Sequence, residues 1–557
     1  AARPINTEGS LYTRNTCPSG DADWVSFNAT TGSYVIETTN LGPESDTFIE
    51  LYSATGTRLA FNDDYGPGEA SRIHYVFSSS GVYYLKVYQF NPAQYGAGTE
   101  YDIKVAPGTP TTATPTATPP PTVTPTATPP PSSVDTLILV NHERLVALHG
   151  ESSTAQLMTT LDSLAAHARV DGEIIRLDLN QTVSSAYAAW VADLTNVAKA
   201  NAVTAAIRAV LMTYLQEHDG VEYIVLVGDD RALPFRRIVD NTPRNDYLER
   251  HYLSVDSTHP TGAALQNNYY LTDDYYADLE PTSFQGRELY LPDLAVGRLI
   301  ESPTDIRDFI NVFLAGDALS PGKALVAGYD FVQDTAVANC GDWQNEYSAA
   351  TVDCSLIGDT WLLNDYRARQ LNANPPFKLQ SINGHANHYQ EGAPGFGQNI
   401  SAQEIAASTT DLTRGLIYTL GCHSGLNVPP TNTQGPFDLA QAFAQKQANY
   451  VGNTGYGWGL RGAIGLSEQL MRLYTEELRR NDEVTMGQAL ATAKRRYYQE
   501  GQDLTGYDEK ILQESVFYGL PMYRLVTTSA FSTDDPFPSV NVISGLPGSS
   551  FGNETVL

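Results

Sequence analysis

Two glycine-led turns place a histidine and a cysteine where predicted strands end. The segment 379–383 runs through a glycine into His385, and the segment 416–420 runs through another glycine into Cys422. If these segments are neighbouring strands of a parallel sheet, about 4.8 Å apart, both side chains emerge at the same edge. Because a free thiol with a pKa of about 8.5 is only ~3% ionised at neutral pH, an adjacent imidazole would activate it. The pattern therefore fits attack of a cysteine on a carbonyl carbon, with the histidine protonating the leaving amine.

The same turns could supply an oxyanion hole. The backbone N–H groups of Cys422 and Ala386 would face the oxygen of the attacked carbonyl, and one such donor typically contributes about 3 kcal/mol to transition-state stabilisation. Spacing alone leaves two other interpretations open. One is a buried cysteine beside an unrelated histidine, and the other is a zinc site built from His385, His388, Cys422 and His423.

Short apolar strands alternate with helical patterns around these turns. From Val203 the apolar positions follow helical spacing up to Leu215, Gly220 ends the helix, and the segment 223–227 is the next strand. Similar strands are predicted at 137–140, 324–327, 379–382 and 416–420. The pattern predicts an α/β fold, a mostly parallel sheet with helices on both faces, in which functional sites gather beyond the carboxyl ends of the strands.

A Pro/Thr-rich linker at 106–133 divides the chain, with the octet TPTATPPP at 114–121 and again at 124–131. This composition favours an extended polyproline spacer and cannot form a core. Before it, residues 1–105 show short alternating runs separated by turn residues, which predicts an antiparallel β-sandwich. The tail at 526–557 has little periodicity, so it fits both a processed end and the start of another β module.

The net charge and the cysteines limit the classes of function and the cellular location that fit this chain. The net charge of −29 disfavours binding to nucleic acid or to an anionic membrane surface, and no apolar run is long enough to span a membrane. A chain that begins at Ala1 is typical of a protein after signal-peptide removal, so we expect secretion or cell-surface location. In an oxidising compartment Cys340 and Cys354 could form a disulfide, the alternative being two free thiols, while Cys17 stands apart.

The region before the linker resembles a bacterial pre-peptidase C-terminal (PPC) domain. The resemblance covers most of residues 15–105 and implies an accessory module without catalytic machinery. Within it, Asn62, Asp63 and Asp64 fit either calcium ligation or a plain turn. The matching segments are 21–27 (DADWVSF), 46–47 (DT), 51–52 (LY), 59–64 (LAFNDD), 71–73 (SRI) and 81–87 (GVYYLKV).

The region after the linker resembles the gingipain-like C25 cysteine peptidases of the caspase-like clan. The resemblance implies a secreted cysteine endopeptidase with two α/β subdomains, 134–318 and the catalytic 319–525. Protein or peptide substrates follow from it. The matching segments, in chain order, are 137–145 (LILVNHERL), 223–229 (YIVLVGD), 233–235 (LPF), 272–278 (TDDYYAD), 292–298 (PDLAVGR), 384–385 (GH), 420–422 (LGC), 451–458 (VGNTGYGW) and 517–524 (FYGLPMYR).

The resemblance also assigns catalytic roles. Cys422 is the implied nucleophile, His385 its partner, and Asp330 the acid that orients the histidine; for Asp330 an ordinary loop carboxylate is the alternative. Two departures stand out: Ala386 replaces a glycine that often follows the catalytic histidine, and Leu520 stands where relatives usually carry an acid. The backbone donor at 386 is retained, but the extra methyl group narrows the cleft.

For substrate binding, the resemblance points to a pocket that accepts a basic residue. Asp334 or Asp342 would pair with a substrate guanidinium, and Tyr456 and Trp458 would form an apolar wall along its aliphatic stem. Aromatic residues that merely cover the sheet edge are the alternative. The chemistry requires no cofactor, and the resemblance implies structural calcium without locating a metal site.

The sequence is compatible with two further function classes. One is a catalytically silent surface or filament-forming protein that reuses the peptidase fold for adhesion or assembly, which includes homo-oligomers. The other is a transpeptidase, because a thioester intermediate can be taken by an amine instead of water.

Overall fold

The computed structural model describes residues 2–17, 21–54, 58–62, 70–77, 80–89, 94–107, 134–218, 220–244, 246–395, 397–429, 437–480, 484–501, 503–527 and 554–557. These residues fall into two compact units, 1–127 and 128–557. The predicted linker lies outside the described residues from position 108 onwards, as do the two aspartates of the candidate calcium turn, Asp63 and Asp64.

The first unit is built from strands in two sheets. One sheet has the order β1-β3-β8-β5-β6 and the other β2-β9-β4-β7, and every described pairing is antiparallel except that of β1 with β3. Buried side chains such as Val25, Ile36, Leu85 and Ile103 form its core. The predicted antiparallel sandwich is confirmed. The strands are β1 (Arg3–Pro4), β2 (Tyr12–Asn15), β3 (Ala22–Ala29), β4 (Gly32–Thr39), β5 (Thr47–Tyr52), β6 (Arg58–Asn62), β7 (Arg72–Phe77), β8 (Gly81–Gln89) and β9 (Glu100–Pro107).

The second unit alternates strands and helices. Its strands are β10 (Thr136–Val140), β11 (Gly172–Arg176), β12 (Tyr223–Val227), β13 (Arg236–Val239), β14 (Tyr269–Thr272), β15 (Thr282–Phe284), β16 (Arg287–Leu289), β17 (Ala295–Leu299), β18 (Ala318–Leu319), β19 (Ala324–Gly328), β20 (Val352–Ile357), β21 (Leu379–Asn383), β22 (Ala386–Asn387), β23 (Gln390–Gly392), β24 (Asn399–Ser401), β25 (Leu416–Thr419), β26 (Asn449–Asn453), β27 (Trp458–Leu460), β28 (Ser515–Tyr518), β29 (Arg524–Leu525) and β30 (Glu554–Val556).

The helices of this unit are α1 (His142–His149), α2 (Glu151–Ala165), α3 (Gln181–Val191), α4 (Val197–Glu217), α5 (Pro260–Gln266), α6 (Asp274–Ala277), α7 (Pro303–Leu314), α8 (Gln333–Tyr347), α9 (Leu363–Gln370), α10 (Ala402–Ala407), α11 (Leu439–Gln445), α12 (Ser467–Leu478), α13 (Met486–Glu500) and α14 (Gly506–Glu514). Short 3₁₀ turns occur at Leu177–Leu179, Glu249–His251 and Asp330–Val332. Among the described residues, no helix combines the length and apolar character needed to cross a bilayer.

The described strands form a ten-stranded sheet in the order β11-β10-β12-β17-β28-β26-β25-β21-β19-β20. Its pairings are parallel except that of β26 with β28. Alternate residues enter cores on opposite faces, as Val326 and Leu325 of β19 do. A strand buried on both faces is apolar throughout, which explains the short continuous apolar runs in the sequence. The predicted α/β class is confirmed.

The two predicted α/β halves share this sheet. Strands β10, β11, β12 and β17 come from the first half, and β19, β20, β21, β25 and β26 come from the second. Strand β28, close to the end of the second half, lies between them, parallel to β17 and antiparallel to β26. Both halves therefore belong to one compact unit, and loops of the first half can reach the strand ends of the second.

Candidate active site

His385 and Cys422 lie at the ends of adjacent strands. Strands β21 and β25 are parallel neighbours whose register pairs Leu379 with Leu416 and Ile382 with Thr419. Continued for three residues, this register brings His385 opposite Cys422. The turns are in close contact, because a Cβ on Gly421 would lie 2.6 Å from the Cβ of Ala386 and 3.2 Å from its backbone nitrogen. A glycine is therefore required before the cysteine.

The thiol of Cys422 is almost fully buried. Its side chain is 5% exposed, and its Sγ lies 3.6 Å from the carbonyl oxygen of Gly457, to which it donates. Burial, and after it the negative charge of Glu514, raises the pKa of the Cys422 thiol. In this state the sulfur is a protonated thiol that needs a base before it can attack a carbonyl.

The imidazole of His385 is held by the acid predicted to orient it. Its Nε2 lies 3.2 Å from Oδ2 of Asp330, and both side chains are close to half exposed, at 42% and 45%. The rings of Tyr329 and Phe331 stand edge-on to the imidazole, and the hydroxyl of Tyr329 accepts a hydrogen bond from the His385 backbone N–H. Among the described residues, no hydrogen bond joins the imidazole to Cys422. The imidazole therefore remains on the solvent side, beside an open cleft lined by Asp330, Tyr329, His385 and Asn399.

The buried side of Cys422 contains an ionic cluster that the sequence did not reveal. His423, the next residue, points its Nε2 at Glu249 at 2.8 Å, and Lys510 contacts the same carboxylate at 2.5 Å. Burial alone would raise the pKa of Glu249, but the neighbouring Lys510 and His423 lower it to about 2. Tyr252 stacks on the His423 ring with centroids 3.5 Å apart. Residues 249 and 252 come from the first α/β half, so that half helps to position the turn that carries Cys422.

Glu514 lies in the same buried region. Among the described residues, neither of its carboxylate oxygens has a hydrogen-bond partner, and burial raises its pKa well above the usual range. A Cβ on Gly455 would come within 2.6 Å of Glu514 and 2.5 Å of Glu249. The backbone beside the thiol thus passes directly over two buried carboxyl groups.

The two predicted aromatic wall residues occupy different environments. Tyr456 is partly buried and stands edge-on to the rings of His423 and Tyr252. Trp458 is fully buried and packs edge-on against Tyr507, with centroids 4.8 Å apart. Tyr456 therefore belongs to the cluster beside the thiol turn, whereas Trp458 anchors β27 to α14.

The two candidate pocket acids lie on helix α8. Asp334 is in its first turn beside Glu468, whose pKa is raised to about 9 by burial and then by the Asp334 carboxylate. Asp342 is two turns further along and forms ion pairs with Arg472 and Arg479, the latter at 2.7 Å. Asp342 is thus already neutralised within the packing of α8 against α12.

The other predicted site residues are placed as follows. The backbone nitrogen of Ala386 lies against Gly421, 3.2 Å from where a Cβ on that glycine would be. Cys340 and Cys354 are joined by a disulfide, and Cys17 is free and exposed. Within the part of the chain that the structure describes, no group of three or more histidine, cysteine or acidic side chains could hold a metal ion, so the zinc alternative is not assembled.

Comparison with known proteins gives the following similarities. The sequence profile of Peptidase family C25 matches residues 131–526. The crystal structure of gingipain R, an Arg-specific cysteine proteinase, is 11% identical with a TM-score of 0.47, covering 71% of this chain and 78% of that one. The pre-peptidase C-terminal domain of a Bacillus anthracis collagenase is 16% identical with a TM-score of 0.16, covering 19% of this chain and 94% of that one. No curated protein matches the chain.

Proposed function

The chain belongs to peptidase family C25 and is therefore a cysteine peptidase, and from that premise we propose that it hydrolyses internal peptide bonds of proteins. Cys422 is the nucleophile and His385 its acid–base partner. The observation that carries the assignment is the parallel register of β21 and β25, which brings the two residues opposite each other at one sheet edge. A peptide carbonyl bound between the two strand ends would have the thiol on one side and the imidazole on the other.

The reaction needs one proton shuttle. His385 takes the thiol proton while the sulfur bonds to the carbonyl carbon, and the carbonyl oxygen becomes an oxyanion. The C–N bond then breaks, and the imidazolium gives the proton to the leaving amine. Water next adds to the thioester and passes its proton to His385. The C–S bond breaks, the acid is released, and the thiol is restored.

Two sets of groups support this cycle. Asp330 positions the imidazole through its contact with Nε2 at 3.2 Å and stabilises the imidazolium that forms. The N–H groups of Ala386 and Cys422 donate to the oxyanion, which the contact of Ala386 with Gly421 supports. The buried Glu249 and Lys510 hold the His423 ring, so the turn that carries the nucleophile is rigid.

We also propose a location, a role for the sandwich unit and a substrate pocket. The disulfide between Cys340 and Cys354 supports an oxidising compartment and so supports export. The sandwich unit would act as an accessory module. A pocket for a basic residue would use Asp334, the candidate acid that lacks a guanidinium partner among its described contacts. Structural calcium remains an expectation without an assigned site.

The assignment is tested by mapping cleavage sites. A denatured protein mixture is incubated with the parent chain, with Cys422→Ala and with Cys17→Ala, which removes the exposed free cysteine instead. New peptide termini found by mass spectrometry with the parent and with Cys17→Ala, and at least about 10³-fold fewer with Cys422→Ala, support the dyad. Equal cleavage by Cys422→Ala excludes Cys422 as the nucleophile. If the parent leaves the mixture intact with calcium and reductant present, two interpretations are favoured: a latent form of the peptidase, and the silent structural alternative.

A further inference from the structure

The chain contains a segment that binds beside the thiol as a peptide would. Residues Glu554–Val556 form β30, which pairs antiparallel with β27; Val556 is opposite Trp458 and Glu554 is opposite Leu460. The next residue, Leu557, donates its backbone N–H to the carbonyl oxygen of Gly457 at 3.0 Å. That oxygen is the one that also lies 3.6 Å from the Sγ of Cys422. The backbone of Leu557 is therefore adjacent to the nucleophile.

Strand β27 has one edge available for such a peptide. On its opposite edge, the N–H of Trp458 donates to the Ser467 hydroxyl at 3.2 Å, and the N–H of Leu460 donates to Glu468 at 2.8 Å. Because antiparallel ladders alternate, Gly457 and Gly459 direct their backbone groups to the other edge. The side chains of α12 thus close one edge of the strand and leave the edge beside Cys422 to an added strand.

The added strand approaches the thiol with its carboxyl side. Residues 554–556 run along β27 toward the thiol, with Glu554 farthest from it, and the carboxyl side leads past Gly457 toward Cys422. The carbonyl of Leu557 is the first backbone carbonyl beyond the Gly457 contact in that direction. A peptide bound in this way would present the residue opposite Gly457 as the one whose carbonyl the thiol attacks.

The Leu557 side chain packs on the face of β27 that carries two glycines. Opposite residues of an antiparallel pair share a face, so Leu557 lies on the face of Gly457 and Gly459, and its Cδ1 would be 3.5 Å from a Cβ at 457. It is 3% exposed and belongs to the apolar cluster that includes Cys422. A cationic side chain in this space would lose its hydration, which is costly without a partner charge. The candidate acid Asp334 lies beside Glu468, whose carboxyl reaches the same face, because a Cβ on Gly459 would overlap its Oε1. Burial raises the pKa of Glu468 to about 9, so this carboxyl is protonated near neutral pH and offers no partner charge.

We infer that the groove beside β27 accepts peptides with a leucine-like aliphatic residue at the attacked position, and that residues 554–557 occupy it as a built-in competitor. This inference rests on the proposed function, because it places the attacked carbonyl at Cys422. It assigns an aliphatic residue to that position and is therefore an alternative to the pocket for a basic residue at Asp334; the experiment below decides between the two. The side chain of Leu557 is then the main element that holds the competitor in place.

The experiment uses two quenched fluorescent peptides that contain Glu-Thr-Val-Leu or Glu-Thr-Val-Arg, each followed by the same Ser-Gly. The proteins are the parent, Leu557→Asp and the matched control Leu179→Asp, which changes an exposed leucine. We expect the parent to cleave the leucine peptide at least about tenfold faster than the arginine peptide, in kcat/KM. We expect Leu557→Asp to lower KM for the leucine peptide about tenfold with kcat retained, and Leu179→Asp to match the parent. A preference for arginine, or an unchanged KM in Leu557→Asp, overturns the inference while leaving the peptidase assignment intact.

A binding measurement separates the two proposals when cleavage is absent. Binding of the fluorescent leucine peptide is followed by polarisation with Cys422→Ala and with the double variant Cys422→Ala/Leu557→Asp. At least about tenfold tighter binding to the double variant supports occupancy of the groove by residues 554–557, whether or not the parent cleaves peptides. Equal binding to both variants overturns it.

Discussion

The imidazole Nε2 of His385 lies 3.2 Å from the Oδ2 of Asp330, at the solvent-facing side of the sheet edge that carries Cys422. Asp330 is held for this contact by its own backbone, because its N–H donates to Asp359 at 2.7 Å and its carbonyl accepts from the Gln333 side chain at 2.9 Å. Its φ of 55° belongs to the left-handed region, which aspartate tolerates better than most residues. The acid is thus a fixed part of the loop after β19.

Asp330→Asn should therefore lower kcat about tenfold to a hundredfold and leave KM within about twofold. The change removes the charge that stabilises the His385 imidazolium, and it leaves peptide binding unaltered. Asp330→Glu should recover part of the loss by returning a carboxylate. The matched control is Asp411→Asn, which removes another exposed carboxylate that pairs with a cation, Lys378. Steady-state kinetics on one peptide measure all three variants. A loss shared by Asp330→Asn and Asp411→Asn would assign the effect to surface charge.

The buried ionic cluster around Glu249 predicts that the stability of the fold depends on pH. Glu249 has a pKa of about 2 in the folded chain, against about 4.5 when unfolded. Between these values the unfolded chain binds the extra proton, so the free energy of unfolding falls as the pH falls. Glu249→Gln should cost about 3 kcal/mol near pH 7, since Lys510 and His423 lose their anion, and this difference should shrink as the pH falls from about 4.5 towards 2.

Denaturant unfolding of the parent and Glu249→Gln at several pH values measures this effect. The matched control is Glu500→Gln, an exposed glutamate at the end of α13, which should change the stability by less than about 1 kcal/mol. A difference between parent and Glu249→Gln that stays constant down to pH 2 would mean that the carboxylate is not held ionised by the cluster.

The contribution of Glu468 to stability should depend on pH in the opposite direction to that of Glu249. Its folded pKa of about 9 exceeds the unfolded value of about 4.5, so the folded chain holds the extra proton between them and stability falls as the pH rises. Glu468→Gln keeps an acceptor for the Leu460 N–H and a donor towards Asp334 but cannot ionise. Between pH 5 and pH 8 the parent should lose on the order of 4 kcal/mol more unfolding free energy than the variant. Parallel stability curves for the two proteins would show that Glu468 is not protonated in the folded chain.

Local sequence is enough to predict that His385 and Cys422 lie side by side. Each follows a short buried strand that ends in a glycine, and neighbouring parallel strands bring equivalent ends together. The contact between Asp330 and His385 is expected from the family resemblance and from the place of Asp330 after β19. The contact of Glu249 with His423 spans 174 residues and depends on how the two halves share one sheet, so no local pattern indicates it. The pairing of β30 with β27 was missed for the same reason, because an added strand needs only backbone groups and leaves little trace in side-chain types.

Occupancy of the groove by residues 554–557 also predicts the reactivity of the thiol. Burial raises the pKa of Cys422, and Leu557 belongs to the apolar cluster that buries it. Leu557→Asp should therefore increase the rate of Cys422 alkylation by iodoacetamide at pH 7.5 about tenfold, because a hydrated thiol ionises more readily. The exposed Cys17 is an internal standard in the same chain, and peptide mapping quantifies both modified residues. Leu179→Asp should leave the Cys422-to-Cys17 ratio unchanged. An unchanged ratio in Leu557→Asp would mean that elements other than the added strand bury the thiol.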